Sequence, residues 1–146
     1  MIRAFIFDLD GTLVETELLK AKAYASVSQD LLRLSAPDER AIDVYRRIVG
    51  ATDETAARAV VEELGLDRVL PGDSEAGWRE LNRLQADRYR SEFATGDGLR
   101  SVAYEHSIEL LRAQSASGKL VAVATSSFPE DAERVTEELG IRSVLN

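Results

Sequence analysis

The feature that most constrains the fold of this chain is a short apolar segment that runs directly into two acidic residues. Residues 2–7 are almost all apolar or aromatic, and they are followed at once by Asp8-Leu9-Asp10-Gly11-Thr12. A short apolar run of this kind predicts a β-strand that is buried on both faces, as in parallel α/β sheets. The acidic residues and the glycine then predict a tight turn at the carboxyl end of the strand.

A second apolar segment lies near the other end of the chain. Residues 120–124 are entirely apolar, and Thr125-Ser126-Ser127 follows them. Helical patterns separate the two segments, so we expect two parallel strands joined by a right-handed crossover. Because ligands bind beyond the carboxyl ends of parallel strands, neighbouring strands would bring the acidic residues and the hydroxyl groups to one edge.

The long segment between the strands has the pattern of a helical insertion. Apolar residues recur at helical spacing over 17–34, 39–49, 53–64 and 75–93, with Asp38 and Thr52 as predicted N-caps. Four consecutive helices with short connections indicate a small bundle. The pattern further predicts a flexible break at 96–98, helices over 104–117 and 128–139, and the start of another strand in 141–146.

The predicted fold is therefore α/β: a partial Rossmann-like parallel sheet core with an inserted four-helix cap, helix-rich overall. The predicted core comprises residues 1–15 and 97–146, and the predicted helical cap comprises residues 16–96. Two strands alone make a poor sheet, and the sequence stops where a third strand is expected. We therefore expect the core to be incomplete and the chain to be the N-terminal part of a longer enzyme.

Composition narrows the chemistry that this chain can perform. Its 146 residues include no cysteine and one histidine, which excludes disulfides, thiolate metal sites and poly-histidine metal sites. The formal net charge of −8 argues against a broad nucleic-acid surface. There is no apolar run long enough to span a membrane and no secretory signal pattern, so we expect a cytoplasmic protein without membrane or nucleic-acid partners.

The acidic pair is the strongest candidate for a functional site. Asp8 and Asp10 are two residues apart, so strand alternation would put both carboxylates on one side. Carboxylates this close repel each other, a divalent cation would relieve the repulsion, and oxygen-only sites suit Mg²⁺. One carboxylate could then attack phosphorus while its neighbour protonates the leaving oxygen. Gly11 would permit the turn and leave N–H groups free for an anion, and Thr125 would donate to a phosphoryl oxygen.

These motifs resemble those of a known family. Asp8-Leu9-Asp10-Gly11-Thr12-Leu13-Val14 is similar to D-x-D-G-[TV]-L, the first signature of the haloacid dehalogenase (HAD) superfamily of phosphotransferases. The strand at 120–124 with Thr125 resembles the second signature, a hydrophobic run closed by Ser or Thr. The helical segment between them resembles the small cap of the phosphoglycolate phosphatase and β-phosphoglucomutase branch. The resemblance covers essentially the whole chain.

The resemblance implies a role for each matching residue. Asp8 would be the nucleophile that forms an aspartyl-phosphate, and it would also ligate Mg²⁺, the implied cofactor. Asp10 would be the general acid and base, and it would ligate the metal through its backbone carbonyl. Gly11 and Thr12 would shape the phosphate-binding turn, and Thr125 would orient the phosphoryl group.

Two further hydroxyl residues follow Thr125, and both a capping role and a phosphate-binding role are open for them. Ser126 is retained as a candidate phosphate ligand beside Thr125. Ser127 is the better helix cap, because Ser127-Phe128-Pro129-Glu130 has the pattern of a capping box with an early proline.

The activity that the resemblance implies is hydrolysis of a phosphoric monoester, with a small phosphorylated metabolite as substrate. The alternative within the family is a sugar-phosphate mutase of the β-phosphoglucomutase type. Mutase-like members carry an arginine three residues after the cap glycine, and counting from Gly50 gives Asp53, whose charge would repel a phosphate. Arg46 and Arg47 could still hold one.

Two other departures from the family pattern concern the site itself. The position before Thr16 is usually aspartate and is Glu15 here, a mild change at the hinge. The family also has a later lysine and a later acidic pair, whereas the last lysine here is Lys119 and the last aspartate is Asp131, inside a predicted helix. A non-catalytic fragment that associates through unpaired strand edges is therefore a further alternative.

Overall fold

The chain forms two compact units. A computed structural model describes residues 2–146, with every side chain in that range except that of Ser74. One unit comprises Met1–Thr16 and Ala94–Asn146, and the other comprises Glu17–Phe93. The functional roles expected for them, catalytic core and cap, remain predictions.

The first unit is built on a two-stranded parallel sheet. Strand β1 covers Ala4–Asp8 and strand β2 covers Leu120–Ala124, and the register runs from Ala4 opposite Leu120 to Asp8 opposite Ala124. The predicted parallel pairing of these two segments is therefore confirmed. Because the strands are parallel and in register, the residues that follow Asp8 and Ala124 leave the sheet at the same end.

Helices make up most of the remaining structure and agree with the predicted helix-rich α/β fold. In chain order the α-helices of the described residues are α1 (Thr16–Leu32), α2 (Glu39–Arg47), α3 (Asp53–Leu64), α4 (Ser74–Arg88), α5 (Gly96–Ser101), α6 (Glu105–Ala116) and α7 (Pro129–Glu138). Short 3₁₀ helices cover Leu66–Arg68 and Arg142–Val144, and a π-helical turn over Tyr89–Phe93 extends α4. Within the described residues, no helix is both long enough and apolar enough to cross a bilayer.

The prediction that the first strand is buried on both faces is wrong for the described residues. Ile6 of β1 is 72% exposed, and Leu120 of β2, on the same face of the sheet, is 57% exposed. Helix α6 packs against both strands, and Val121, whose side chain points to the opposite face from Leu120, is fully buried. An apolar strand indicates a tendency to be covered, but burial also requires an element that packs on each face.

The helix ends of the second unit follow local capping chemistry. The Asp38 carboxylate accepts the backbone N–H of Arg40 at 3.2 Å and begins α2. The Thr52 hydroxyl accepts the backbone N–H of Thr55 at 3.2 Å and begins α3. Gly65 ends α3 in the left-handed conformation, with φ of 66°. Both predicted N-caps are therefore confirmed, as expected for side chains that satisfy free N–H groups at helix starts.

The second unit has its own apolar core. The rings of Tyr24 on α1 and Tyr45 on α2 lie 5.4 Å apart, and both side chains are buried. Helix α3 packs against both α2 and α4. The core is completed by small and branched residues, among them Ala25, Ala41, Ala57, Val60, Leu66 and Leu81.

Two predictions in the last third of the chain are wrong. The predicted flexible break at 96–98 is the start of α5, because the Thr95 hydroxyl accepts the backbone N–H of Gly98 at 3.2 Å and caps the helix. The predicted strand start in 141–146 is instead the 3₁₀ helix Arg142–Val144. Asn146 nevertheless pairs with β2, since its backbone N–H donates to the Val121 carbonyl at 2.9 Å and its Oδ1 accepts the Val121 N–H at 2.7 Å.

Candidate functional site

The turn after β1 is held by its own backbone. Gly11 has φ of 77°, a conformation that favours glycine, and its N–H donates to the Val14 carbonyl at 2.8 Å. The N–H groups of Leu13 and Val14 both donate to the Leu9 carbonyl, at 2.9 and 3.2 Å. The sharp turn is therefore present as expected. The expectation that Gly11 leaves its N–H free for an anion is not met, because that donor is already used.

The backbone N–H of Thr12 is also engaged within the turn. It donates to the Leu9 carbonyl at 3.3 Å, and the Thr12 side chain is half-buried. A phosphate-binding role for Gly11 and Thr12 stays a prediction. It would require an anion to replace these internal bonds or to use other atoms of the turn.

Asp8 presents an open carboxylate at the end of β1. Its Oδ1 accepts the backbone N–H of Leu9 at 2.9 Å, and its Oδ2 has no hydrogen-bond partner among the described residues. The side chain is exposed to solvent. One oxygen of Asp8 is therefore available to a ligand that approaches the edge of the sheet.

The Asp10 carboxylate accepts hydrogen bonds from three hydroxyl groups. Its Oδ1 accepts the hydroxyl of Thr16, and its Oδ2 accepts Thr125 Oγ1 at 3.2 Å and Ser127 Oγ at 2.7 Å. Thr16 is the first residue of α1 and is 1% exposed, and Asp10 is half-buried. The parallel pairing of β1 and β2 thus brings Asp10 and Thr125 together.

The hydroxyl residues after β2 differ in what they contact. Thr125 Oγ1 donates to Asp10 and accepts the backbone N–H of Ser127 at 3.0 Å, which closes a local turn. The predicted capping box at Ser127 is wrong, because its hydroxyl bonds to Asp10 and the N-cap residue of α7 is Phe128, without a side-chain cap bond. Ser126 is exposed, and its role as a phosphate ligand stays a prediction.

Two of the contacts to Asp10 were not expected from the sequence, since Thr16 was not considered there and Ser127 was placed at this edge of the sheet but favoured as a helix cap. Thr16 lies at a helix start six residues after Asp10, where its hydroxyl can turn back toward the preceding loop. Ser127 was assigned to a cap because its local pattern resembles one. The signal that could have identified both residues is a hydroxyl side chain within reach of an acidic turn at the end of a parallel strand.

The segment that carries Thr16 is fastened to the chain before α6. The N–H of Glu15 donates to the Val102 carbonyl at 2.9 Å, and the N–H of Tyr104 donates to the Leu13 carbonyl at 2.9 Å. The Tyr104 hydroxyl donates to Glu15 Oε2 at 3.1 Å, and this hydrogen bond raises the pKa of Tyr104. Glu15, which replaces the usual aspartate, thus fixes the backbone next to Thr16 through its bonds to Val102 and Tyr104.

The oxygen atoms at the acidic turn fit a hard divalent cation. Asp8 Oδ2 is open, the Asp10 main-chain carbonyl accepts no hydrogen bond from the described residues, and Mg²⁺ commonly takes one or two protein oxygens together with water. No group of three or more His, Cys, Asp or Glu side chains suited to a metal occurs in the part of the chain that the structure describes. Any metal here would therefore be held by Asp8 and by the Asp10 carbonyl, since the Asp10 carboxylate is already used by hydroxyl groups.

The last lysine and the last aspartate of the chain lie on opposite sides of β2 in the sequence. Lys119 precedes β2 and is at the opposite end of that strand from Thr125. Asp131 lies in the first turn of α7. The expectation that neither residue supplies the family's later lysine and acidic pair stays a prediction.

Known proteins match this chain over nearly its whole length, but it spans less than two thirds of the solved structures it resembles. A beta-phosphoglucomutase candidate from Thermotoga maritima is 20% identical with a TM-score of 0.72, and the match covers 99% of this chain and 59% of that one. CbbY from Rhodobacter sphaeroides in complex with phosphate is 21% identical with a TM-score of 0.60, covering 99% and 61%. The HAD-hydrolase YfnB from Bacillus subtilis, bound to magnesium, is 10% identical with a TM-score of 0.62, covering 99% and 63%.

These structural similarities establish the fold, and a match to a family pattern establishes the family. No curated protein matches the chain closely enough to be called a relative. The pattern of the haloacid dehalogenase-like hydrolases, however, matches residues 2–145. Because this match covers almost the entire chain, the chain belongs to the haloacid dehalogenase-like hydrolase family.

Proposed function

We propose that this chain carries the nucleophile and the general acid of a Mg²⁺-dependent phosphatase that hydrolyses a small phosphorylated metabolite. The observation that carries the proposal is the arrangement at the end of the sheet, where Asp8 has an open carboxylate oxygen and Asp10 is held beside Thr125. Membership of a hydrolase family supports hydrolysis as the reaction class. The names of two similar structures, one with phosphate and one with magnesium, are consistent with this chemistry.

The first proposed step transfers the phosphoryl group to Asp8. Its open Oδ2 attacks phosphorus, the bond between phosphorus and the ester oxygen breaks, and the leaving oxygen takes a proton from Asp10. For this step Asp10 must carry a proton aimed at the leaving oxygen, and the position on Oδ2 that Thr125 now occupies becomes free for that proton when Thr125 is released. Thr125 is suited to donate its hydroxyl to a phosphoryl oxygen once it is released from Asp10.

The second proposed step regenerates the enzyme. Asp10, now ionised, takes a proton from a water molecule whose oxygen attacks the phosphorus of the aspartyl-phosphate. The bond between phosphorus and Asp8 breaks, and inorganic phosphate leaves. Mg²⁺, held by Asp8 and the Asp10 carbonyl, would neutralise the negative charge that gathers on the phosphoryl oxygens.

A sugar-phosphate mutase is less well supported by the helical unit. Asp53 is the exposed first residue of α3, at the position where mutase-like members carry an arginine. Arg47 is paired with Glu63, and Arg46 lies 3.9 Å from Asp43, so the positive charge of both arginines is balanced by nearby carboxylates. These nearby carboxylates, together with Asp53, favour a second phosphate less than unpaired arginines would.

The test is phosphate release from a panel of small phosphate esters, measured with Mg²⁺ and with a chelator. We expect Mg²⁺-dependent release, and a loss of at least about 10³-fold in Asp8→Asn, because a missing nucleophile leaves only residual catalysis. Asp97→Asn is the matched control, since Asp97 is an exposed aspartate of the same unit that pairs with Arg100 at 2.8 Å. Equal and measurable rates of phosphate release in the chain and in Asp8→Asn would contradict the proposal. Association of the folded chain without turnover would instead support the non-catalytic alternative.

A further inference from the structure

We propose that Ser127 is a positioning residue that holds the Asp10 carboxylate in the orientation from which it acts on the substrate. The inference rests on the proposed function, because it assigns Ser127 a part in the same site. It goes beyond the proposed function because the sequence left Ser127 open only as a helix cap or a phosphate ligand, and neither of these roles orients Asp10.

The contact between Ser127 and Asp10 is the shorter of the two hydroxyl contacts on Oδ2. Ser127 Oγ lies 2.7 Å from Oδ2, whereas Thr125 Oγ1 lies 3.2 Å from the same atom. A carboxylate is free to rotate about its bond to the β-carbon unless both of its oxygens are held. Thr16 holds Oδ1 and Ser127 holds Oδ2, so these two hydroxyl groups together fix the plane of the Asp10 carboxylate.

Ser127 can perform this function because its backbone is fixed and its hydroxyl has no competing partner. Its N–H donates to Thr125 Oγ1 at 3.0 Å, which holds the backbone of Ser127 beside Thr125. Its hydroxyl has no other hydrogen bond in the described structure, since the start of α7 is left without a side-chain cap. The Ser127 hydroxyl therefore does not cap α7 and instead contacts Asp10, which lies 117 positions earlier in the chain.

The division of work between Thr125 and Ser127 follows from the proposed reaction. When a phosphoryl group arrives, Thr125 is needed to donate to its oxygen and leaves Asp10. Ser127 is then the remaining hydroxyl on Oδ2, and it keeps Asp10 aligned while Thr125 binds the substrate. Misplacement of a reacting group by about 1 Å lowers turnover by about 10²-fold.

The experiment compares four proteins made in the full chain: wild type, Ser127→Ala, Ser127→Thr and Ser117→Ala. Ser127→Thr keeps the hydroxyl and serves as the conservative rescue. Ser117→Ala is the matched control, because Ser117 is an exposed serine of the same unit whose hydroxyl donates to the Gln114 carbonyl at 2.8 Å, before β2 begins. Crystal structures report the orientation of the Asp10 carboxylate, and steady-state kinetics with p-nitrophenyl phosphate report kcat and KM.

We expect Asp10 to rotate or to become disordered in Ser127→Ala and to keep its orientation in the other proteins. We also expect kcat to fall about 10- to 100-fold in Ser127→Ala with little change in KM, and to recover in Ser127→Thr. An unchanged Asp10 orientation in Ser127→Ala would overturn the proposal. So would a reoriented Asp10 with wild-type kcat, because the contact would then serve the structure alone.

The failure of the proposed function would look different. If the wild-type chain and Asp8→Asn release phosphate at the same rate, the phosphatase mechanism fails in every protein, including the Ser117→Ala control. The crystallographic comparison does not depend on turnover and still decides whether Ser127 orients Asp10.

Discussion

Replacing Asp10 by asparagine tests whether the hydroxyl contacts at the acidic turn are as important as the structure indicates. The substitution keeps the size of the side chain and removes its charge. Two effects on stability oppose each other. The change replaces one carboxylate oxygen by an amide NH2 group, which cannot accept the hydroxyl bonds made to that oxygen, and it leaves only uncharged hydrogen bonds with Thr16, Thr125 and Ser127. It also removes the repulsion between the negative charges of Asp10 and Asp8.

The sizes of these two effects determine whether Asp10→Asn raises or lowers the free energy of unfolding. A hydrogen bond to a charged group stabilises by about 1.5–3 kcal/mol and a neutral one by about 0.5–1.5 kcal/mol, so each of the three bonds loses about 1 kcal/mol. Asp8 is exposed, so water screens its repulsion with Asp10 to about 1 kcal/mol or less. Asp10→Asn is therefore expected to lower the free energy of unfolding by about 2 kcal/mol.

The assay is urea unfolding at neutral pH, followed by far-ultraviolet circular dichroism. Asp97→Asn removes an exposed carboxylate from the same unit and is expected to change the free energy of unfolding by less than about 0.5 kcal/mol. If Asp10→Asn is as stable as the wild type, or more stable, the three hydroxyl contacts do not hold the turn and the reasoning is refuted.

Three further predictions concern the rest of the molecule. Asp38→Ala should lower the free energy of unfolding by about 1 kcal/mol by removing an N-cap, whereas Asp43→Ala on the same helix should have little effect. The hydrogen bond from Arg40 lowers the pKa of Asp38 below 3.8 in the folded protein. The difference in the free energy of unfolding between wild type and Asp38→Ala should therefore be present above about pH 4 and vanish as the pH falls through the folded-state pKa of Asp38. A difference that persists at pH 2 would contradict this. Ser28→Ala should stabilise the chain by about 1 kcal/mol in urea unfolding, since the Ser28 hydroxyl is buried without a partner among the described residues, and a loss of stability would contradict this. Ile6→Lys should reduce concentration-dependent association in light scattering, because Ile6 lies on the open apolar face of the sheet, and unchanged association would exclude that face.

The sequence predicted helix ends correctly where the contacts that fix them join residues close together in the chain. Asp38 and Thr52 cap their helices through N–H groups two and three residues away, and Gly65 ends α3 through its own left-handed conformation. The parallel pairing of β1 with β2 was predictable for a different reason. Two short apolar strands that are separated by helices usually pair in parallel through a right-handed crossover.

The misjudged features depend on contacts between distant parts of the chain. Ser127 has the local pattern of a helix cap, yet its hydroxyl is used by Asp10, which no nearby residue reveals. The exposure of Ile6 depends on which elements pack against its face of the sheet, and apolar composition does not report that. The N–H of Gly11 was expected to be free, but the turn closes on Val14 and uses it internally.

The central claim is that Asp8 accepts a phosphoryl group. The most direct test is to mix the chain with a small phosphate ester and Mg²⁺, to quench the reaction with acid within its first turnovers, and to locate covalent phosphate by peptide mass mapping. The account predicts an acid-trapped phosphate on the peptide that contains Asp8, and its absence from Asp8→Asn. Phosphate release without any covalent phosphate on that peptide, or the same modification in Asp8→Asn, would contradict it.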